Sequence, residues 1–291
     1  MPKIAQRKIS DFTQQKNLIP GGRINQYLQH ADLKQTYKSK RSPLFPFKKD
    51  IDYIDQNYIT RQYKIKGFEY GNWVSQDERF NFLICGHLAL YDIAKIMQFP
   101  ENNVGFVYTL GIAFGARGHG GNAAAHFEPH TFMINLTKTS GWQSLAHEYG
   151  HALDFYFGGY IDQDKSSFSL SKGQSVAKED DLTAYKKDSL RYLMNDLINS
   201  INTVQMNGKT VSSESYNNLE KAAGNTDYWY RRTEIFARFF ERYVMYRLSK
   251  LGIKNTFLTK EKYESRVYVT KSDFNRVLPK MEKLVKALRK V

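Results

Sequence analysis

Two histidines and a glutamate in the middle of the chain have the types and spacing of a metal site. His147, Glu148 and His151 form a His-Glu-x-x-His pattern. On a helix this spacing places both imidazoles on one face, because residues four apart lie one turn from each other. Imidazole nitrogens bind zinc at about 2.0–2.1 Å, and the intervening glutamate can take a proton from a metal-bound water and pass it to a leaving amine. The pattern predicts a zinc (Zn2+) peptidase site with Glu148 as general base. The alternatives are a chance pair of histidines and another divalent metal.

A catalytic zinc site needs a third protein ligand and one open position for water. No further histidine follows shortly after His151, so we predict that Glu234 supplies this ligand from a second, strongly apolar helix. A carboxylate on the core side of a helix needs a partner, and a metal ion would be one. Arg238 and Glu241 share the helix face of Glu234. They are predicted to hold its carboxylate in position without binding the metal themselves. The alternative is an ion pair between Glu234 and Arg238 without a metal.

Three other residues near the pattern bear on the same site. Asp154 lies on the face of the two histidines and is predicted to hold a ligand imidazole in the right tautomer, or else to be a surface charge. Gly150 inside a helix costs about 1 kcal/mol relative to alanine, which predicts close packing against a neighbouring backbone. Tyr228, shortly before Glu234, is predicted to donate to the oxyanion of the tetrahedral intermediate. Because the chain has twenty tyrosines, core packing is its alternative role.

A strand-like segment directly precedes the histidine helix and consists of Met133, Ile134, Asn135 and Leu136. We predict that it is an edge strand, which would bind an extended peptide substrate through main-chain hydrogen bonds. The glycine-rich stretch 115–121 lacks the Lys-Ser/Thr ending of a phosphate-binding loop and is predicted to be a loop beside the cleft. The histidines near it fit no metal pattern and are interpreted as ordinary polar residues; they are His119, His126 and His130.

Hydrophobic periodicity predicts the elements that position these residues. Strands are predicted over residues 63–70, 106–110 and 132–136. Helices are predicted over residues 75–97, 139–157, 181–204, 226–252 and 279–291, with a turn at Asn207-Gly208. The expected fold is α+β and zincin-like (gluzincin-type), with a small mixed sheet packed on the active-site helix and a helical C-terminal half. The expected domains are a partly ordered basic arm (1–60), a metallopeptidase domain (61–255) and a C-terminal extension with a basic amphipathic helix packed on it (256–291).

Composition limits the setting of the protein. The formal net charge is +14, which favours contact with polyanions such as nucleic acid, although a solvated basic surface is the alternative. Cys85 is the single cysteine, so no internal disulfide can form, and no apolar segment follows the N-terminal charges as in a signal peptide. No apolar run is expected to be long enough to span a bilayer. We therefore expect a cytoplasmic protein with no membrane partner; the oligomeric state is left open.

Several blocks of the sequence, in order, resemble a known family. They are GNWVSQDER, GIAFGARGHGG, INLTKTSGWQSLAHEYGHALDFYF and YWYRRTEIFARFFERYV, over roughly residues 63 to 250. They resemble the first of the large polyvalent protein-associated domains of phages and conjugative elements. More distantly, the chain is similar to the catalytic domain of anthrax-toxin lethal factor. It departs from the family pattern at Tyr149, where tryptophan is expected, and in carrying a short basic arm in place of many fused domains.

The resemblance implies a zincin peptidase whose metal ligands are His147, His151 and Glu234. It also implies activity inside a bacterial or phage-infected host, in association with a mobile genetic element. The resulting hypothesis is a zinc metallopeptidase that cleaves a protein or peptide substrate. The competing hypothesis is a basic nucleic-acid-associated or structural protein whose metal site is not catalytic, although a structural zinc site has no need of the general base Glu148.

Overall fold

The computed structural model describes residues 22–23, 41–42, 53–117, 124–138, 140–162, 167–260, 262–264 and 266–291. Most of the predicted basic arm therefore lies outside the described residues. Within them the α-helices are α1 (Gln56–Tyr63), α2 (Gln76–Met97), α3 (Leu145–Tyr156), α4 (Leu190–Asn202), α5 (Glu214–Ala223), α6 (Arg232–Lys250) and α7 (Lys271–Leu288). The strands are β1 (Gly22–Arg23), β2 (Arg41–Ser42), β3 (Tyr53–Ile54), β4 (Gly67–Tyr70), β5 (Gly111–Phe114), β6 (Ala125–Glu128), β7 (Met133–Leu136), β8 (Thr203–Met206), β9 (Lys209–Ser212) and β10 (Lys254–Asn255). Helices thus combine with a small mixed sheet, as the α+β prediction requires.

The chain divides into two compact units. The first consists of Met1–Glu148 and Val244–Glu261, and the second consists of Tyr149–Tyr243 and Lys262–Val291. Two of the divisions fall inside continuous helices, α3 and α6. The division into an arm, a metallopeptidase domain and a C-terminal extension stays a prediction.

The first unit contains a four-stranded sheet with the order β4-β5-β7-β6. The first three strands are parallel and β6 runs antiparallel to β7. Parallel strands are usually buried, and every residue of β5 and β7 is buried here. Phe114 of β5 stacks on Phe82 of α2 with ring centroids 4.5 Å apart, so α2 packs on the sheet through aromatic side chains.

The prediction that Met133, Ile134, Asn135 and Leu136 form an edge strand is wrong. This segment is β7, and both of its hydrogen-bonding sides are occupied, by β5 and by β6. The error arose because no strand was predicted over Ala125–Glu128, which forms β6 and pairs with this side of β7. Among the described residues the edges of the sheet are β4 and β6.

Two other strand predictions in the first unit need correction. Residues 106–110 are not a strand, because Phe106, Val107 and Tyr108 have φ angles of 52°, 52° and 65°. The backbone N–H of Gly105 donates to the Tyr63 carbonyl, so this segment is held in turns. Tyr63 itself ends helix α1, and the strand predicted from 63 begins only at Gly67. Local β-propensity was overruled here by tertiary hydrogen bonds.

Helix α2 begins as predicted. Ser75 is its N-cap, and Ser75 and Glu78 form a reciprocal capping box. Residues Glu78–Met97 are long and apolar enough, by length and composition, to cross a membrane, contrary to the sequence expectation. This stretch is 78% buried, however, and a core helix passes the same test.

The second unit is mainly helical. Helices α4 and α7 pack on each other, and the predicted apolar stripe of α7 is buried; it consists of Met281, Leu284, Val285 and Leu288. Pro279 lies inside α7, which begins at Lys271, so its predicted place at the first helical position is wrong. The Asn207-Gly208 turn is confirmed: it joins β8 to β9, and both residues have positive φ angles, as a two-residue hairpin turn requires.

Candidate metal centre

Helix α3, which carries the histidine pattern, is held at its first turn by another segment of the first unit. The first N–H groups of a helix have no partner within the helix. In α3 the Ala146 N–H donates to the Leu258 carbonyl at 3.0 Å, and Gln143 just before the helix donates to Phe257 at 3.1 Å. The helix begins at Leu145, later than predicted, because Gln143 has a φ of 72°. Gly158-Gly159 does not end the helical path as predicted, because it continues as a π turn over Phe157–Ile161.

The prediction for Gly150 is confirmed. A Cβ atom at this position would lie 3.2 Å from the Ala237 Cα and 3.2 Å from a ring atom of Phe240. Tyr149 beside it stacks on Phe240 with ring centroids 6.2 Å apart. The missing side chain therefore allows α3 to approach α6 closely.

Helix α6 is held at its start by the loop that follows α3, all within the second unit. The backbone N–H groups of Arg232 and Thr233 donate to the carbonyls of Ser175 (2.8 Å) and Gly173 (3.1 Å). The fully buried Arg232 guanidinium donates to the Ser171 and Ala177 carbonyls; two side-chain amides also accept from it, those of Asn195 and Asn199. Burial lowers the pKa of Arg232, while nearby acidic groups oppose that shift. These contacts fix the position of Glu234 in the first turn of α6.

His147, His151 and Glu234 each offer one ligand atom, and these three atoms lie within 4.8 Å of one another. Among the residues that the structure describes, this is the one group of three such side chains. His147 and His151 lie one turn apart on the continuous helix α3. The His151 Nε2 and a Glu234 carboxylate oxygen are 3.2 Å apart. Two zinc ligands at about 2.0–2.1 Å in a tetrahedral site are about 3.3 Å apart, so this spacing fits a shared ion.

The hydrogen bonds of His151 indicate which nitrogen of its ring carries a proton. Its Nδ1 lies 2.9 Å from the Thr233 hydroxyl, which also hydrogen-bonds the Asp154 carboxylate. A hydroxyl has one proton, and a carboxylate only accepts, so Thr233 donates to Asp154 and accepts from the Nδ1–H. In a neutral imidazole the Nε2 lone pair then faces a Glu234 carboxylate oxygen. Either a proton or a metal ion can bridge two such atoms, and in a group with a second histidine a metal ion suits that position.

Asp154 is fully buried, and the structure shows how it is held. It accepts hydrogen bonds from the Ser171 backbone N–H at 2.9 Å and the Ser171 hydroxyl at 2.5 Å. Burial raises the pKa of Asp154, against the opposing hydrogen bonds from Ser171 and Thr233 and the nearby His151. The sequence placed Asp154 directly behind a ligand imidazole; in the structure the Thr233 hydroxyl links it to His151.

Arg238 and Glu241 follow Glu234 on α6 by four and seven residues. The Arg238 guanidinium is 3.7 Å from Glu234, donates to the Trp229 carbonyl and lies over the Trp229 ring. Burial lowers the pKa of Arg238, and the nearby Glu234 carboxylate opposes this shift. Glu241 accepts hydrogen bonds from the hydroxyls of Tyr263 (3.0 Å) and Tyr268 (2.9 Å). The ion pair of Glu234 with Arg238, which was the alternative to a ligand role, is therefore present, and the ligand role stays a prediction.

The remaining predicted residues divide by burial. Glu148 is buried, with 6% of its surface exposed, in the first turn of α3. Tyr228 is 41% exposed, which is more than a core-packing role predicts. His126 lies 3.2 Å from Glu128, His130 is exposed, and His119 lies outside the described residues.

Sequence reasoning missed Thr233, Ser171 and Arg232. A threonine in the first turn of a helix is usually interpreted as a capping residue, and Ser171 lies in a polar loop without periodicity. Arg232 is one of two adjacent arginines, and only the structure shows that it is buried while Arg231 is partly exposed. The one available signal was the position of Thr233 directly before Glu234.

The family model named Large polyvalent protein-associated domain 1 matches residues 220–291. The match runs from within α5 to the C-terminus and includes Thr233 and Glu234 but not the histidines of α3. It confirms the family resemblance over this segment. No curated protein and no solved structure matches the chain.

Proposed function

We propose that the chain is a zinc-dependent metallopeptidase with a gluzincin-type ligand set of His147, His151 and Glu234. The observation that carries the proposal is the convergence of His147, His151 and Glu234, whose ligand atoms lie within 4.8 Å of one another, with His151 Nε2 and Glu234 3.2 Å apart. The donor set of two imidazoles and a carboxylate leaves one position open in a tetrahedral site, as catalytic zinc requires. The fold that supports this site is proposed to be zincin-like.

Zinc held by these residues would polarise a peptide carbonyl and lower the pKa of water. Glu148 follows His147 directly and is not needed as a ligand. Its carboxylate takes a proton from the attacking water and transfers it to the leaving amine. A structural zinc site has no use for such a group. Tyr228, exposed in the turn before α6, is proposed to donate its hydroxyl to the developing oxyanion.

The proposed substrate is a protein or peptide, and the proposed setting is the cytoplasm of a bacterium or of a phage-infected host. The family description, with its polyvalent proteins, supports an association with a phage or mobile genetic element.

Glu148→Gln tests the proposal, because it removes the base but leaves the three ligands. We expect about one zinc per chain in both the wild type and the variant, by elemental analysis. Cleavage of an unfolded protein pool should fall by roughly 10²- to 10⁴-fold in the variant, the usual contribution of a general base. A wild type that binds no zinc even when it is supplied would overturn the proposal, as would equal cleavage by both proteins.

A further inference from the structure

The Thr233 hydroxyl connects a ligand histidine to a buried carboxylate. It lies 2.9 Å from His151 Nδ1 and hydrogen-bonds Asp154. Asp154 in turn accepts both the backbone N–H and the hydroxyl of Ser171. Thr233, Asp154 and Ser171 have relative exposures of 3%, 0% and 0%, so water does not compete for these bonds.

The side chain of Thr233 is not needed as a helix cap. Thr233 lies inside α6, and the backbone N–H two residues further on, that of Ile235, already donates to the Arg231 carbonyl at 3.0 Å. Its hydroxyl is directed instead at His151 on another helix. A residue used only for capping would not need this contact.

The direction of each bond follows from the donors present. Ser171 supplies two donors to Asp154, so the carboxylate is an acceptor, and the single Thr233 proton goes to it. The Thr233 oxygen can then only accept from His151. In a neutral imidazole this places the single ring proton on Nδ1 and leaves the Nε2 lone pair directed toward Glu234.

We infer that Thr233 is a positioning residue that fixes the tautomer and the ring orientation of His151 for metal binding, with Asp154 and Ser171 holding its hydroxyl in place. The inference rests on the proposed zinc site. Ligand histidines usually donate their second N–H directly to a carboxylate or carbonyl, and loss of such a partner typically weakens metal binding about 10- to 100-fold. Here a threonine hydroxyl takes that place between the imidazole and the carboxylate.

Thr233→Val tests the inference, because valine keeps the branched shape and removes only the hydroxyl. Thr233→Ser is the matched control, since it keeps the hydroxyl and loses a methyl group. The zinc dissociation constant would be measured by competition with a chelator. We expect it to rise about 10- to 100-fold in Thr233→Val and to change only a few-fold in Thr233→Ser.

The second measurement is nitrogen NMR of the zinc-free proteins at a pH where imidazole is neutral. We expect His151 to carry its proton on Nδ1 in the wild type and in Thr233→Ser, and to lose this preference in Thr233→Val. If the valine variant does not fold, Thr233→Ala replaces it. Equal zinc affinity in all variants, or a wild-type His151 protonated on Nε2, would overturn the inference. A wild type that binds no zinc would instead overturn the proposed function, and the tautomer result would still test the hydrogen-bond chain.

Discussion

At the scale of single residues, the two buried glutamates of the site are proposed to have different roles. Replacing each of them by glutamine distinguishes the metal ligand from the general base. Glu234→Gln replaces the proposed charged ligand with a weaker neutral one, and the substituted side chain no longer balances the charge of Arg238. Glu148→Gln changes a residue that is proposed not to bind the ion. We expect zinc to raise the unfolding temperature of the wild type and of Glu148→Gln. Glu234→Gln should show a much smaller rise at the same zinc concentration.

The size of this effect follows from linkage. A ligand at 100 times its dissociation constant stabilises the native state by about 2.7 kcal/mol, and this falls as the affinity falls. Thermal unfolding with and without zinc, followed by circular dichroism, is the measurement. The zinc-free variants serve as the control for any intrinsic loss of stability. An equal shift in both glutamine variants would contradict the assignment of Glu234 as the ligand.

At the scale of elements, the approach of α3 to α6 depends on a glycine. Gly150→Ala would gain about 1 kcal/mol of helix propensity. The added methyl, however, would lie 3.2 Å from the Ala237 Cα, which is backbone and cannot rotate away. Overpacking of this kind typically costs about 1–3 kcal/mol. We expect a net loss of up to about 2 kcal/mol in the free energy of unfolding, together with weaker zinc binding.

Gly86 in α2 is the matched control for this prediction. It is also a buried glycine inside a helix, but a Cβ there would meet only the ring atoms of Phe114 and Phe68, at 3.6 Å. Gly86→Ala is expected to be neutral or to stabilise by up to about 1 kcal/mol. Denaturant unfolding of both variants gives the comparison. If Gly150→Ala is as stable as Gly86→Ala, the close packing of α3 on α6 is not what selects the glycine.

The elements also show which structural features could be predicted from the sequence and which could not. The start of α2 at Ser75 and the Asn207-Gly208 turn are local signals, and both were predicted correctly. The close packing at Gly150 was predicted because a glycine destabilises the interior of a helix, and close packing against a neighbouring backbone offsets that cost. The position of β7 inside the sheet could not be predicted, because Ala125–Glu128 is short and its pairing is non-local. The left-handed conformations of 106–108 depend on contacts with a distant carbonyl, which no window of sequence reveals.

The same division applies to the candidate site. His147 and His151 were found from spacing, since one helix turn fixes their relation. Glu234 was identified because it is a carboxylate on the core side of an apolar helix, where a buried charge needs a partner. Thr233 was missed because its role depends on the meeting of two helices and a loop. Spacing along one helix therefore identified His147, His151 and Asp154, whereas a contact between elements, such as that of Thr233 with His151, was missed.

At the scale of the whole molecule, the net charge of +14 is the main feature that the proposed peptidase site does not explain. Many basic residues of the second unit are already paired with acids. Lys280 lies 2.6 Å from Asp196 and Lys283 lies 2.6 Å from Asp188, for example. The lysines between 38 and 49 lie outside the described residues, and their clustering in the sequence is what favours contact with a polyanion. Such contact would be electrostatic and independent of DNA sequence.

This idea predicts how binding to DNA should change with salt when charges are removed in different places. The affinity for a double-stranded DNA falls with salt by a slope of about 0.9 per phosphate neutralised, on logarithmic scales. One variant carries glutamine at the clustered lysines Lys38, Lys40, Lys48 and Lys49. The matched control loses the same net charge at lysines that pair with acids, namely Lys172, Lys178, Lys280 and Lys283.

We expect the first variant to lower the slope by up to about 3 to 4 and the control to lower it much less, as measured by fluorescence anisotropy at several salt concentrations. Equal slopes in the two variants would mean that the cluster makes no particular contact and that the charge acts only as a general basic surface. Zinc content should stay unchanged in both, because neither variant alters His147, His151 or Glu234.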